Sequence, residues 1–313
     1  MYFPYLRGRQ FELIAIRELI TMSLMSERII PIIEPVKLSS ALIKTISVFQ
    51  ESTRNLGVVR NPRVGNIRKD LVDIKNGTNK VKLDKLLESP DLFAVLYADS
   101  KIAANFATIE ASGISKSGII TICNSQDAIP QFEALFTTDY PRFNFIPDES
   151  VFRRRLPKHK VLFEDRFKKK SRNVDYADVE DEPFSSDHIY YAQDGYVGFS
   201  DYSVIGDDYS ETGFAPYAVA IHIVYFDAEN NLRIHHFVSK TNDDITDPAG
   251  KFAEALEKLV EWNKSQKLDT YGMRSFEEMY CIRKYPGLGT VKKLSIMHHL
   301  ELMSQYLDEV TAK

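Results

Sequence analysis

The chain has 313 residues, of which 44% are hydrophobic and 27% are charged, a balance typical of a folded globular protein rather than a disordered one. Its formal net charge of −4 and pI near 6.0 exclude a whole-molecule field that attracts nucleic acid or anionic lipid, so any such binding must be local. Two cysteines are too few for a disulfide framework. No apolar run approaches the length of a membrane-spanning helix, about 18 residues, and the first residues do not show the pattern of a signal peptide. We therefore expect a cytoplasmic protein that does not associate with the membrane.

The chain alternates between short apolar runs and longer stretches in which apolar residues recur three and four positions apart. This rhythm predicts strands that alternate with helices, as in a β/α barrel, which commonly holds about 250 residues in one domain. The predicted strands are residues 2–6, 29–36, 56–59, 92–97, 119–123, 143–146, 161–163 and 196–199. We therefore predict a TIM-barrel-like α/β fold, with residues 1–313 as a single domain.

Three parts of the chain depart from the regular repeat. Residues 164–195 contain a lysine run followed by a cluster of acids and little apolar material, which predicts an irregular excursion. Residues 218–238 alternate between apolar and polar types around a turn rich in Asp and Asn, which predicts a β-hairpin. Residues 248–313 show helical spacing, so we expect the C-terminal part to be helical.

Polar residues follow nearly every predicted strand, at the end where β/α barrels build their sites. The acids among them are the candidates for general-base or metal-binding roles: Glu34, Asp99, Glu164, Asp165 and Asp201. The other candidates are predicted to bind a ligand: Arg7, Lys37, Asn61, Arg63, Asn124 and Arg166. Carboxylates that converge in one site at the mouth of the barrel repel each other, so arginines, protons or a hard cation such as Mg²⁺ must neutralise them.

The same residues also have a purely structural explanation, which stays open at this stage. Strand ends and turns favour Asp and Asn whatever the function of the protein. In that interpretation, Glu34 and Asp165 pair with Arg63 and Arg166 and only support the scaffold.

The spacing of the histidines does not favour a zinc site. His235 and His236 are neighbours in the predicted hairpin and point to opposite faces, although His222 can share a face with one of them. His298 and His299 diverge on a predicted helix, and we expect them at the surface.

Five segments carry a resemblance to a known family. They are YFPYLRGRQFE at residues 2–12, IPIIEP at residues 30–35, NPR at residues 61–63, residues 198–211, and the stretch from NDD to PAGKF at residues 242–252. The first two resemble the opening of the Beta protein family of phages and bacteria, and the fuller match resembles an uncharacterised bacterial subfamily of it. The resemblance implies a barrel-type fold and a place among genes of phage–host conflict, often beside a gene for a nuclease-like protein. It implies no catalytic residues.

Together these observations predict a cytoplasmic barrel protein of antiphage defence that binds a nucleotide, nucleic acid or protein partner at the carboxyl-terminal mouth of the barrel. One alternative is a metal-dependent hydrolase of phosphodiester or related bonds, in which Arg7 and Arg63 hold phosphate and Mg²⁺ is the candidate cofactor. The other alternative is a non-catalytic partner or immunity subunit of a nuclease-like protein, which it contacts through residues 164–211 and the hairpin.

Overall fold

The computed structural model describes residues 1–89, 91–210 and 216–312, so the last residue of the segments 164–211 and 198–211 lies outside the described residues. The chain forms two compact units, each assembled from separate segments. The first unit comprises Met1–Thr21, Glu27–Asp165 and Asp187–Tyr202. The second comprises Met22–Ser26, Arg166–Ser186 and the described part of Ser203–Lys313. The prediction of a single domain stays a prediction.

The first unit is a parallel β/α barrel. Its strands are β1 Tyr5–Leu6, β2 Ile32–Ile33, β3 Leu56–Val59, β4 Leu92–Tyr97, β5 Ile119–Ile122, β6 Phe143–Ile146, β7 Lys160–Phe163 and β9 Gly198–Ser200. Each strand pairs in parallel with the next, in an eight-stranded sheet. A parallel bridge between Tyr2 and Phe199 joins the last strand to the residues before β1, where the Phe3 amide donates to the Phe199 carbonyl at 2.9 Å. The predicted TIM-barrel-like α/β fold is thereby confirmed.

Helices follow the barrel strands. They are α1 Gln10–Thr21, α2 Ser40–Glu51, α3 Ile67–Asp70, α4 Gly77–Leu86, α5 Ile102–Glu110, α6 Ile129–Leu135, α7 Ser150–Arg155 and α8 Asp187–Tyr190. Helix α2 begins after a capping serine, since the Ser39 side chain accepts from the Leu42 amide at 3.2 Å as an N-cap. The short helix α3 and helix α4 lie between β3 and β4.

The interior of the barrel is packed with side chains and is not a pore. Aromatic rings from β6, β7 and the residues before β1 fill much of it, including Phe145, Phe163 and Phe3, with aliphatic residues from the other strands between them. Ligand binding is therefore confined to the ends of the barrel, and in this fold the sites lie at the carboxyl ends of the strands.

The described residues of the second unit combine an antiparallel sheet with three α-helices and a 3-10 helix. Its elements are a 3-10 helix at Asn173–Asp178, β8 Asp181–Ser185, β10 Ala220–Phe226, β11 Leu232–Val238, α9 Pro248–Gln266, α10 Tyr271–Cys281 and α11 Leu288–Ala312. The predicted hairpin is β10 paired with β11, and the predicted C-terminal helices are present. The segment predicted as irregular is more ordered than expected, since β8 pairs with β11. Among the described helices, none is both long enough and apolar enough to cross a membrane.

The expectation that His298 and His299 lie at the surface is wrong. Residues 294–304 of α11 are buried on every side of the helix, so both imidazoles are inside. His298 lies 2.6 Å from the Val224 carbonyl through Nε2 and 2.8 Å from the Thr270 hydroxyl through Nδ1. Burial lowers the pKa of His298 to about 4, so this imidazole is neutral at neutral pH.

Candidate functional site

A buried ion pair occupies the carboxyl ends of the first two barrel strands. Glu34 is fully buried, and its Oε2 accepts from the Arg7 guanidinium and from the Tyr5 hydroxyl at 2.8 Å, while its Oε1 accepts from the Arg63 amide at 2.6 Å. Both oxygens are therefore engaged by the protein. We call Glu34 and Arg7, with the Tyr5 hydroxyl, the Glu34 ion pair.

The Arg7 guanidinium is held from several sides. Its central carbon lies 5.5 Å from the Tyr5 ring centre and 5.1 Å from the Tyr202 ring centre. Burial opposes its charge, but Tyr5 and Glu34 outweigh that effect and raise the pKa of Arg7. Gly8, which follows with a φ of +62°, leaves no room for a side chain, because a Cβ there would lie 2.9 Å from the Glu34 carbonyl oxygen. The pair is thus a rigid part of the scaffold.

Two tyrosines missed by the sequence reasoning complete this buried network. The hydroxyls of Tyr5 and Tyr97 lie 2.6 Å apart, and burial raises the pKa of Tyr97 to about 12, so its phenol stays protonated at neutral pH. Asn61 exchanges two hydrogen bonds with the Tyr97 backbone, at 3.0 and 2.9 Å. The only sequence signal for Tyr5 and Tyr97 is their position near the carboxyl ends of predicted strands.

The Arg63 guanidinium is exposed and yet held in one orientation. Its central carbon lies 3.9 Å from the Tyr97 ring centre, and its two terminal nitrogens donate to the Asn124 side chain at 3.0 Å and to the Ala98 carbonyl at 3.2 Å. We call Arg63, the Tyr97 ring, Asn124 and the Ala98 carbonyl the Arg63 clamp. Since the Glu34 side chain is already paired with Arg7, it does not neutralise this second guanidinium.

Two of the candidate acids point away from the barrel interior. Phe163 and Tyr202 belong to the interior cluster, and successive side chains of an extended strand point to opposite faces. Glu164 and Asp201 are their immediate neighbours and so face outwards. Asp201 is buried there and accepts from the Tyr2 hydroxyl at 2.7 Å.

The remaining candidates have other surroundings. Asp99 accepts from the Lys101 amide at 2.8 Å and so stabilises its own loop. Lys37 and Asp165 are exposed. Arg166 belongs to the second unit. The contacts described above connect Arg7, Glu34, Asn61, Arg63 and Asn124, and a role of the other six candidates in the site stays a prediction.

Metal ligation receives no geometric support in the described part of the chain. Within residues 1–89, 91–210 and 216–312, no group of three or more His, Cys, Asp and Glu side chains is placed to hold a metal ion. Glu34, the most buried of the candidate ligands, already accepts three hydrogen bonds from the protein. Its present partners are therefore those of a structural carboxylate.

The comparisons with known proteins give no match: no protein-family model, no curated protein and no solved structure is significantly similar to this chain. The resemblance to the Beta protein family therefore stays a prediction based on the sequence segments that carry it.

Proposed function

We propose that the barrel unit binds a phosphate-bearing ligand of the nucleotide or nucleic-acid class at its carboxyl-terminal mouth, with Arg63 as the main contact. The observation that carries this proposal is the Arg63 clamp. The planar fork of N–H groups in arginine matches the oxygens of a phosphate, and this match makes arginine the common choice for bidentate recognition.

Pre-orientation is the second support for a binding role. A free arginine side chain loses rotamer freedom when a ligand immobilises it, which costs about 0.5–1.5 kcal/mol. Tyr97, Asn124 and Ala98 already fix Arg63 before any ligand arrives. The ligand then gains the charge-assisted hydrogen bonds at a lower entropic cost.

The proposal assigns binding and no reaction. Glu34, which accepts from the Arg63 amide, is also occupied by the Arg7 guanidinium and the Tyr5 hydroxyl. A general base needs an oxygen that is accessible to the proton it removes. The contacts of Glu34 therefore favour a recognition site over a hydrolytic one.

The resemblance to the Beta protein family supports a setting in antiphage defence, with a nuclease-like protein from a neighbouring gene as the partner. In this setting the barrel recognises a nucleotide signal or a nucleic-acid end, and the partner acts on it. Cells that carry both genes are expected to resist phage, and the Arg63→Gln variant is expected to lose that resistance, measured as the efficiency of plating.

Direct binding is the test of the proposal. Titration calorimetry with inorganic phosphate and ATP, and fluorescence polarisation with a labelled single-stranded DNA oligonucleotide, compare the native chain with Arg63→Gln. At least one probe should bind, and the variant should bind it about 10- to 100-fold more weakly, since a hydrogen bond to a charged group contributes about 1.5–3 kcal/mol.

Arg155→Gln is the matched control, because Arg155 is an exposed arginine of the same unit whose partner is Glu133 on α6. Its affinity should equal that of the native chain. The proposal is wrong if none of the three probes binds, or if the Arg63 and Arg155 variants bind equally well. Melting curves of both variants verify that they are folded.

A further inference from the structure

Two histidines of the second unit face each other across the hairpin. His222 on β10 is directly opposite His236 on β11, and their Nδ1 atoms lie 2.8 Å apart. The sequence predicted that His222 shares a face with His235 or His236, and the structure selects His236. One Nδ1 must donate a proton and the other must accept it, so the contact requires that at least one of the two rings is neutral.

Residues 166–178, which we call the strap, cover this histidine pair. The Phe167 ring centre lies 5.1 Å from that of His222, and the Tyr176 ring centre lies 4.6 Å from His222 and 4.7 Å from His236. Phe167 and Tyr176 are at most 6% exposed. The two imidazoles are therefore the surface on which the strap packs its two aromatic rings.

Polar contacts add to this packing. The Asn173 side chain donates to the Ala218 carbonyl at 2.8 Å, and two lysines of the strap form ion pairs, Lys168 with Glu182 at 3.2 Å and Lys169 with Asp208 at 2.8 Å. Both lysines are exposed, so these ion pairs contribute little to stability. The buried packing of the two aromatic rings on the histidine pair couples the strap to the protonation state of both imidazoles.

Some charged groups around the histidine pair favour its protonation and others oppose it. Glu182 on β8 lies 3.4 Å from Nε2 of His236 and, with Asp181, favours a first proton there. Burial, the facing His236 and Lys292 from α11 lower the pKa of His222 to about 3. Burial also lowers the pKa of His236, and the neighbouring His235 adds to this effect. The pair therefore tolerates one proton far better than two.

We propose that the strap is a pH-responsive lid, which stays closed while the His222–His236 hydrogen bond is intact and opens when both rings become protonated. Two protonated imidazoles have no acceptor between their facing nitrogens and repel each other at that distance. Opening lets the rings separate and exposes them to water. It also exposes the ring faces of Phe167 and Tyr176 that pack on the histidine pair.

Thermodynamic linkage sets the size of the effect. For each proton taken up on opening, the open fraction rises about tenfold per pH unit below the ordinary histidine pKa of 6.5, until the lowered pKa of the closed state is reached. Between pH 7.5 and 5.0 the proton taken up by His222 alone therefore raises the open fraction of the strap about thirtyfold.

Hydrogen exchange followed by mass spectrometry on the full chain tests this, after correction for the intrinsic pH dependence of exchange. Amides of residues 166–178 should exchange about thirtyfold faster relative to the intrinsic rate at pH 5.0 than at pH 7.5, while those of β10 and β11 stay protected. Exchange that does not depend on pH overturns the proposal, and so does equal acceleration of the strap and both strands, which indicates general unfolding.

Two variants identify the histidines responsible. His236→Gln keeps a hydrogen-bonding side chain that does not titrate and that can accept from a protonated His222, so the pH dependence of strap exchange should weaken. His235→Gln is the matched control on the opposite face of β11 and should retain it. If His236→Gln does not fold, an NMR titration of His222 in the native chain still tests the proposal. A pKa of His222 near 6.5 in the folded protein contradicts the proposal.

Discussion

The two units bury their polar groups in opposite ways. The barrel unit buries Arg7 and Glu34 as a charged pair, in which each charge offsets the other. The second unit buries His298 and the His222–His236 pair as imidazoles whose pKa values are lowered. A charged pair depends on the presence of both partners, whereas a neutral imidazole depends on the proton concentration. The first arrangement is thus sensitive to mutation and the second to pH.

Removing one charge of the Glu34 ion pair is expected to have the largest effect. Glu34→Gln keeps the size of the side chain but removes one charge of a buried pair, which should lower the free energy of unfolding by about 3–5 kcal/mol. Urea unfolding followed by far-UV circular dichroism measures this. Glu133→Gln breaks an exposed pair with Arg155 and should leave the transition unchanged. Equal losses in the two variants contradict a structural role for the Glu34 ion pair.

Acidification should destabilise the second unit by a smaller amount. The pKa of His298 is about 4 in the folded state and 6.5 when unfolded, so the unfolded state binds the proton more readily. The stabilisation is fully present above pH 6.5 and is lost as the pH falls towards 4, amounting to about 3 kcal/mol across that window.

Trp262, the only tryptophan of the chain, lies on α9 and reports on the second unit. Its fluorescence during urea unfolding at pH 7 and pH 5 gives the free energy at each pH. His298→Gln should flatten the pH dependence, because glutamine can still bond to Val224 and Thr270. If the free energy of unfolding of His298→Gln changes with pH as steeply as that of the native chain, groups other than His298 cause the effect.

Removing the hydroxyl of Tyr97 separates its two roles. Tyr97→Phe loses the contact with the Tyr5 hydroxyl and should lower the free energy of unfolding by about 1 kcal/mol. The ring under Arg63 remains, so phosphate-ligand affinity should stay the same. Tyr97→Leu also removes the ring and should weaken the ligand about threefold, since an exposed cation–π contact contributes about 0.5–1 kcal/mol. Equal ligand affinities of Tyr97→Phe and Tyr97→Leu contradict a role of the ring in orienting Arg63.

The smallest expected effect on stability is at Asn124. Asn124→Ala removes an exposed side chain, so the free energy of unfolding should change by less than about 0.5 kcal/mol. Ligand affinity should fall about fivefold, because Arg63 loses one of the contacts that orient it. The neighbouring Ser125→Ala should leave affinity unchanged in the same calorimetric titration. A loss shared by both variants points to the loop rather than to Arg63.

The barrel strands were predictable because their signal is local. β3, β4 and β6 coincide with apolar runs bounded by turn residues, and the predicted strands have these bounds. β8 was missed because its residues Asp181 to Ser185 include two acids and a proline, which are poor strand formers. It is a strand because β11 supplies its hydrogen-bonding partner, and such a long-range cause is not visible in a local pattern.

The candidate site was only partly predictable for a similar reason. The sequence places Arg7, Glu34, Asn61, Arg63 and Asn124 at the strand ends, and the structure connects these five. The sequence does not indicate which carboxylate pairs with which guanidinium. The interpretation that paired Glu34 with the Arg63 side chain therefore missed Arg7. The alternation of side chains along a strand places Asp201 and Tyr202 on opposite faces, and this difference was readable from the sequence.

The closure of the barrel has a consequence for biosynthesis. Tyr2 and Asp201 are 199 residues apart, yet their side chains bond at 2.7 Å beside the bridge that completes the sheet. The ribosome synthesises the first strand long before the last, so the apolar residues around Tyr2 stay unpaired while most of the barrel is translated. Contacts so distant in sequence slow folding and prolong the exposure of aggregation-prone segments. We therefore expect chaperone demand to be concentrated on the nascent amino-terminal strand.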